Sequence, residues 1–209
     1  HVYPKEDDRT SAQLSFLRGH INGFDRAVRG TSPTDPARGY PRYIDVNSFV
    51  DFHMLNEFTK NPDGCRLSTY MHIPRHGKLT MGPVWDFDRT MGPDDDSRAA
   101  NPNGRSSVYH FGWWGRLFQV PDFAQRYTDR WQAWRQTVMT EENLLGMIDR
   151  MSEEVAEAQE RNFDRWRLVS GTPGWRREVT QLKSWIQRRL AWFDRQFLEQ
   201  PVPNLEPGV

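Results

Sequence analysis

The residues best suited to chemistry in this sequence are aspartates that stand in two turns. Asp63 lies in "NPDG", and Asp86 and Asp88 lie in "VWDFD" further along the chain. Each turn adjoins an apolar run. Carboxylates in this setting could bind a divalent cation or act in proton transfer, or they could simply form turns, since "PDG" is a common turn tripeptide. The local residues leave both interpretations open.

A short hairpin between the two turns is the element that would bring Asp63 and Asp86 together. Residues 66–73 and 78–84 are strand-like, with a period of two, and "PRHG" between them has the length of a hairpin turn. Two carboxylates at the mouth of a hairpin repel, so one would take up a proton unless a cation sits between them. Mg²⁺ is the ordinary cation for such a site, because it needs few carboxylates and recruits phosphates.

The rest of the chain has the apolar periodicity of helices. The first helix is predicted over 6–30, capped by Asp8 or Thr10 and ended by Gly30. The second is predicted from Val46 to about Thr59, with Asp45 as its cap, and it is apolar over most of its circumference, which indicates burial. Three amphipathic helices follow, over 121–138, 140–166 and 174–198.

Composition limits the classes of function. The chain has 209 residues, with 28 Lys plus Arg and 28 Asp plus Glu, so its formal net charge is zero. This balance gives no basic footprint for nucleic acid. No apolar run has the length needed to span a bilayer. With Cys65 as its single cysteine, the chain cannot form an internal disulfide.

Several other reactive or aromatic residues are predicted to be structural. The histidines show no paired ligand spacing, so zinc is not expected, and His53 on the second helix is predicted to be a hydrogen-bonded core residue. Cys65 lacks a positioned histidine and is predicted to be a small buried residue. Trp85 is expected to pack the hairpin against the helices. Arg188 and Arg189 on the last helix are expected to pair with acids.

Five segments of the chain form a distinctive combination: "YPKEDD", "YIDVNSFVDFHMLNEFTKNPDG", "STYMHI", "GKLTMGPVWDFDRTMG" and "LKSWIQRRLAWFDRQF". Together they resemble the CotH kinase family of bacterial spore-coat and secreted proteins. The resemblance implies a mainly α fold with a small β-hairpin, which is the C-terminal lobe of an atypical protein-kinase-like fold. On this basis residues 1–200 are the metal-binding, helical part of the kinase domain, its N-terminal β-rich lobe is absent, and 201–209 are a linker tail.

The resemblance implies an ATP-dependent protein kinase that uses Mg²⁺, or Mn²⁺, and acts on Ser or Thr. Asp63 corresponds to the catalytic-loop aspartate, and Asp86 to the aspartate that holds the metal on the nucleotide phosphates. Ser68 stands where ordinary kinases place a metal-binding asparagine, and it is a weaker ligand. Asp88 is either a further metal ligand or a structural cap.

The implied partners are ATP, a secreted or surface protein that contains the acceptor Ser or Thr, and the missing lobe of the same parent chain. The implied location is extracellular, on the cell surface or in the spore coat of a bacterium. Without its other lobe, the chain is expected to bind ATP poorly and to transfer little phosphate. One alternative is a degenerate family member that keeps the fold as an adhesion or binding module, which Ser68 and the missing lobe favour. Another is a metal-dependent phosphohydrolase that uses the same aspartates.

Overall fold

The computed structural model describes residues 4–92, 97–167 and 171–198, and this part of the chain is mainly helical with one small sheet. The helices and strands are α1 (Ser11–Arg29), α2 (Val46–Thr59), β1 (Met71–His72), β2 (Thr80–Met81), α3 (Ser97–Ala100), α4 (Trp114–Leu117), α5 (Pro121–Arg135), α6 (Glu141–Trp166) and α7 (Gly171–Phe197). Short 3-10 turns occupy Glu6–Asp8 and Tyr40–Arg42. The predicted fold class, mainly α with a small β-hairpin, is therefore confirmed. The linker predicted over 201–209 lies outside the described residues.

Helix α1 begins at a capping box. The Thr10 hydroxyl accepts a hydrogen bond from the Gln13 amide at 3.2 Å, and the Thr10 amide donates to the Gln13 side chain at 2.8 Å. Of the two predicted caps, Thr10 is the one used. The acidic residues ahead of it form the 3-10 turn Glu6–Asp8 rather than the first turn of the helix.

Helix α2 has the predicted bounds and the predicted cap. The Asp45 carboxylate accepts from the Ser48 amide at 3.0 Å. The helix ends at Lys60, which adopts the left-handed conformation with φ of 52°. The Lys60 ammonium group donates to the carbonyl oxygens of Asn101 and Asn103 at 2.9 and 3.1 Å. This end of α2 is thus tied to the loop that follows α3.

The hairpin is much shorter than the strands predicted over 66–73 and 78–84. Only Met71–His72 and Thr80–Met81 pair, in antiparallel register. The start of the first predicted strand is folded into a turn, because the amides of Leu67 and Ser68 donate to the Asp63 carbonyl. The second strand stops before Pro83, which has no amide hydrogen for the ladder.

The core lies around α2, α5 and α7 and is rich in aromatic rings. His53 is at its centre and is 1% exposed. Its Nε2 lies 3.0 Å from the Tyr109 carbonyl oxygen, and its Nδ1 lies 3.1 Å from the Tyr127 hydroxyl. A carbonyl can only accept, so Nε2 donates. Burial lowers the pKa of His53 to about 3, so the ring is neutral and Nδ1 accepts from the Tyr127 hydroxyl. The prediction of a hydrogen-bonded core histidine is confirmed.

Trp85 does not pack the hairpin against the helices, so that prediction is wrong. Trp85 is 57% exposed, and its ring lies edge-on to the Tyr70 ring with 6.4 Å between the ring centroids. It follows the end of β2, beyond Pro83, where the chain has left the core. Cys65, by contrast, is buried as predicted, and burial raises the pKa of its thiol to about 12. Among the described residues, no helix is both long and apolar enough to span a bilayer.

Candidate active site

The turn that carries Asp63 begins directly after α2 and is built around the side chain of Asn61. The Asn61 Oδ1 accepts from the amides of Asp63 and Gly64, both at 3.1 Å. The Asp63 carbonyl then accepts from the Leu67 and Ser68 amides at 2.8 and 3.0 Å. These bonds fix the backbone on both sides of Asp63.

Gly64 lets this turn lie directly against α2. A Cβ atom at Gly64 would collide with the Oδ1 atom of Asn56, a buried side chain whose Nδ2 donates to the Phe52 carbonyl at 2.8 Å. The next residue, Cys65, has φ of 64°, a left-handed conformation that is uncommon outside glycine. The backbone therefore holds Asp63 in a conformation set by close packing.

The Asp86 turn lies beside the Asp63 turn. Asp86 also has a positive φ, 65°, and its carboxylate is exposed. Its backbone carbonyl accepts from the Asn61 Nδ2 at 3.3 Å, and its Oδ2 accepts from the Ser68 hydroxyl at 3.0 Å. Asn61 and Ser68 thus join the two acidic turns.

The carboxylate of Asp63 is engaged by arginines on its Oδ1 atom. Arg66 Nη2 lies 2.8 Å away and Arg98 Nη1 lies 3.5 Å away. The Asp63 side chain is 23% exposed and that of Arg66 is 41% exposed, so the first pair stands at the surface. Sequence reasoning missed both arginines. Arg66 lies three residues after Asp63 in the same turn, so its pairing could be predicted from spacing, whereas Arg98 lies in α3, 35 residues further along the chain than Asp63.

Asp88 is not joined to the other acidic residues. Its side chain is exposed, and within the described ranges no hydrogen bond or ion pair connects it to Asp63, Asp86 or Ser68. The segment that follows it is attached to the end of α2, because the Met91 amide donates to the Thr59 carbonyl at 3.0 Å. Its role, as metal ligand or as cap, stays a prediction.

The oxygen atoms of Asp86 and Ser68 are of the type that could hold a magnesium ion. The residues that the structure describes contain no group of three or more His, Cys, Asp or Glu side chains that could enclose a metal. Mg²⁺ does not need such a cage, because it binds one or two carboxylates together with water and phosphate oxygens. The exposed Asp86 carboxylate with the Ser68 hydroxyl at 3.0 Å supplies hard oxygen ligands of this kind.

Asn61 is a further residue of this site that sequence reasoning did not identify. It is 1% exposed, and it contacts both acidic turns. The signal was present in "NPDG", because an asparagine ahead of a turn readily accepts from the amide two residues on. Its second contact, to the Asp86 carbonyl, joins residues 25 positions apart in the sequence, and the local pattern does not encode it.

The structure is that of a mainly helical protein in which two acidic turns adjoin and are joined by Asn61 and Ser68. The family model described as "CotH kinase protein" matches residues 1–193 of the 209-residue chain. The chain therefore belongs to the CotH kinase family, a family linked to the spore coat, and this membership supports a kinase-like function. A comparison with curated proteins finds no match.

Proposed function

We propose that this chain is the catalytic-loop and metal-binding part of an ATP- and Mg²⁺-dependent protein kinase that phosphorylates Ser or Thr. The observation that carries the proposal is the hydrogen-bonded junction of the two acidic turns. Asn61 contacts the backbone of both turns, and Ser68 holds the Asp86 carboxylate. A carboxylate for proton transfer and a carboxylate for a metal are thereby carried on adjoining turns, as phosphoryl transfer requires.

Each residue has a distinct role in this proposal. Bound with ATP, Mg²⁺ or Mn²⁺ would neutralise charge on the phosphate oxygens. Asp86 and Ser68 would hold the ion, and Asp88 is a candidate further ligand. Asp63 would orient the Ser or Thr hydroxyl of the substrate and take up its proton as the hydroxyl oxygen accepts the phosphoryl group and ADP leaves.

The proposed substrate is a secreted or surface protein, in a bacterial spore coat or another extracellular setting, in keeping with family membership. A kinase also needs a glycine-rich loop and a lysine to order the phosphates. Within the described residues ahead of β1, helices and turns are present and no strand is. We therefore propose that another part of the parent chain supplies these groups, and that this chain alone transfers little phosphate.

One observation favours the non-catalytic alternative, in which the fold serves as an adhesion or binding module. The Oδ1 atom of Asp63 is already paired with Arg66 and Arg98. A substrate hydroxyl would have to use the other oxygen or displace an arginine. If the pairs are permanent, Asp63 would be a structural residue of the turn.

Radiolabelled ATP tests the proposal in the parent protein. Asp63→Asn should lower the incorporation of phosphate into protein by about a hundredfold or more, because it removes the proton acceptor. Asp86→Asn should abolish the Mg²⁺ dependence of ATP binding. The matched control is Asp129→Asn on α5, where the carboxylate accepts only from Gln125, and it should leave labelling unchanged.

The outcomes separate the three functions. The kinase is supported if the protein is labelled with phosphate and both Asp63→Asn and Asp86→Asn lose this labelling. A phosphohydrolase is supported if the labelled phosphate is released to water. No label in the wild-type parent, or label that both variants retain, would overturn the proposal in favour of the binding module. Titration of this chain alone with Mg²⁺-ATP should show weak binding, and micromolar affinity would contradict the need for another lobe.

A further inference from the structure

The side chain of Asn61 is placed where neither a purely accepting nor a purely donating group could serve. Its Oδ1 accepts from the amides of Asp63 and Gly64, and its Nδ2 donates to the carbonyl of Asp86. The orientation of the amide is fixed by these partners, because amide hydrogens must face the oxygen and the carbonyl must face the NH₂ group. The side chain is 1% exposed, so water does not replace these bonds readily.

Asn61 and Ser68 restrain different parts of Asp86. Ser68 contacts the carboxylate, at the surface of the site. Asn61 contacts the backbone carbonyl from the buried side, and the same side chain also holds the backbone at Asp63. The Asp86 backbone has a positive φ, a conformation that costs free energy and persists only where its surroundings restrain it.

We propose that Asn61 is a positioning residue that fixes the Asp86 turn relative to the Asp63 turn and so sets the affinity of Asp86 for its metal. This inference rests on the proposed function, since it concerns the same two aspartates. Asn61 contacts neither carboxylate and acts through the backbones that carry them.

Asn61 forms a bridge with two halves: it accepts from the amides of Asp63 and Gly64, and it donates to the Asp86 carbonyl. Asn61→Asp separates these two halves. The carboxylate keeps an oxygen for the amides of Asp63 and Gly64, but it cannot donate to the Asp86 carbonyl. Asn61→Ala removes both halves. Asn101→Asp is the matched control, because Asn101 makes the same type of side-chain contact to the backbone, from Oδ1 to the Asn103 amide at 2.9 Å, and has no contact with either acidic turn.

The first measurement uses the 209-residue chain without metal. Hydrogen exchange followed by NMR should show the Asp63 and Gly64 amides exchanging at least about tenfold faster in Asn61→Ala, and at the wild-type rate in Asn61→Asp and Asn101→Asp. Both Asn61 variants should lower the backbone order parameter of Asp86. If the Asp63 and Gly64 amides exchange at the wild-type rate in Asn61→Ala, or if the order parameter of Asp86 is unchanged in Asn61→Asp, the inference that Asn61 joins the two turns is wrong. If Asn61→Ala does not fold, the Asn61→Asp result decides.

The second measurement is the affinity of the same chain for Mn²⁺, by electron paramagnetic resonance, with Asp86→Asn as reference. Asn61→Asp should bind Mn²⁺ about tenfold more weakly than the wild type, although it adds a negative charge that by itself would tighten binding. Asn101→Asp should bind normally. Affinity at or above the wild-type value in Asn61→Asp would overturn the positioning role.

The two measurements also separate this inference from the proposed function. If Asp86→Asn binds Mn²⁺ as tightly as the wild type, the metal site of the proposed function is wrong. The exchange rates and order parameters then still decide whether Asn61 joins the two turns. If Asp86→Asn loses Mn²⁺ and Asn61→Asp does not, the metal site stands and the positioning role falls.

Discussion

Two carboxylate–guanidinium pairs on either side of the end of α2 have opposite environments. Glu57 and Arg189 are completely buried, with side-chain exposures of 0% and 0%. Asp63 and Arg66 have exposures of 23% and 41%. The first pair joins α2 to α7 across the core, and the second stands at the candidate active site.

The buried pair has no remaining capacity for a ligand. Arg189 uses all its donors, on the Glu57 carboxylate and on the backbone carbonyls of Glu57, Phe58, Pro102 and Gly104. Both oxygens of Glu57 also accept from the Ser106 amide at 3.1 Å. Burial lowers the pKa of Arg189 to about 10, and Glu57 opposes that shift, so the arginine remains charged at neutral pH.

The exposed pair, Asp63 with Arg66, keeps the capacity to bind a ligand. The backbone nearby has positive φ values at Cys65 and Asp86, and the Asp86 carboxylate faces solvent. Backbone strain of this kind is maintained by its surroundings and is frequent at functional sites. The comparison indicates that the buried pair holds α2 against α7, whereas Asp63 and Asp86 keep solvent-accessible carboxylates.

Breaking the buried pair should have the largest effect on stability. In Arg189→Met, the Glu57 carboxylate would remain buried without its cation, which typically costs about 3–5 kcal/mol. Denaturant unfolding followed by circular dichroism measures this loss. Arg188→Ala is the matched control, since the neighbouring arginine is exposed and its Nε only contacts the Ser184 carbonyl in its own helix. A loss below about 1 kcal/mol in Arg189→Met would contradict the assigned importance of the buried pair.

The buried centre should also lose stability in acid through His53. Burial lowers the pKa of His53 from 6.5 to about 3. The unfolded chain therefore binds a proton between these values and the folded chain does not, so stability is full above pH 6.5 and falls as the pH drops toward 3. The slope should be about 1.4 kcal/mol per pH unit. Urea unfolding at pH 7.0, 5.5 and 4.5 measures it.

His53→Gln is the control for that slope, because it keeps hydrogen-bonding groups but does not titrate. Its unfolding free energy should fall less steeply between pH 6.5 and 4.5 than that of the wild type. Equal slopes in the two proteins would mean that other groups cause the acid dependence. His110 contributes in the same direction in both proteins, since burial also lowers its pKa.

Local features of the fold were predictable from the sequence. Asp45 was identified as a helix cap, and Thr10 as one of two candidates with Asp8, because short polar side chains satisfy free amides; the structure shows Asp45 and Thr10 as the caps. The starts of α5 and α6 also agree with the helices predicted from residues 121 and 140. Each of these depends on a few adjacent residues.

Contacts between residues that are far apart in the sequence were not predictable in the same way. Glu57 and Arg189 are 132 residues apart, so no spacing rule pairs them, although Arg189 was expected to meet an acid. The short strands and the exposed Trp85 follow from the turn at Asp63 and from Pro83, whose local effects outweighed the alternating pattern. At the candidate site, types and spacing identified the aspartates, whereas the link through Asn61 required the folded chain.

The exposed pair gives the smallest expected change in stability. Arg66→Ala should lower the free energy of unfolding by less than about 1 kcal/mol, because ion pairs at the surface gain little in water. Its effect on the site should be the informative one. If the Arg66 pair occupies the oxygen that a substrate needs, its removal should leave phosphate transfer by the parent protein intact or raise it. If phosphate transfer falls while stability does not, Arg66 takes part in the reaction. The Asp63 turn would then depend on Arg66 as the core depends on Arg189.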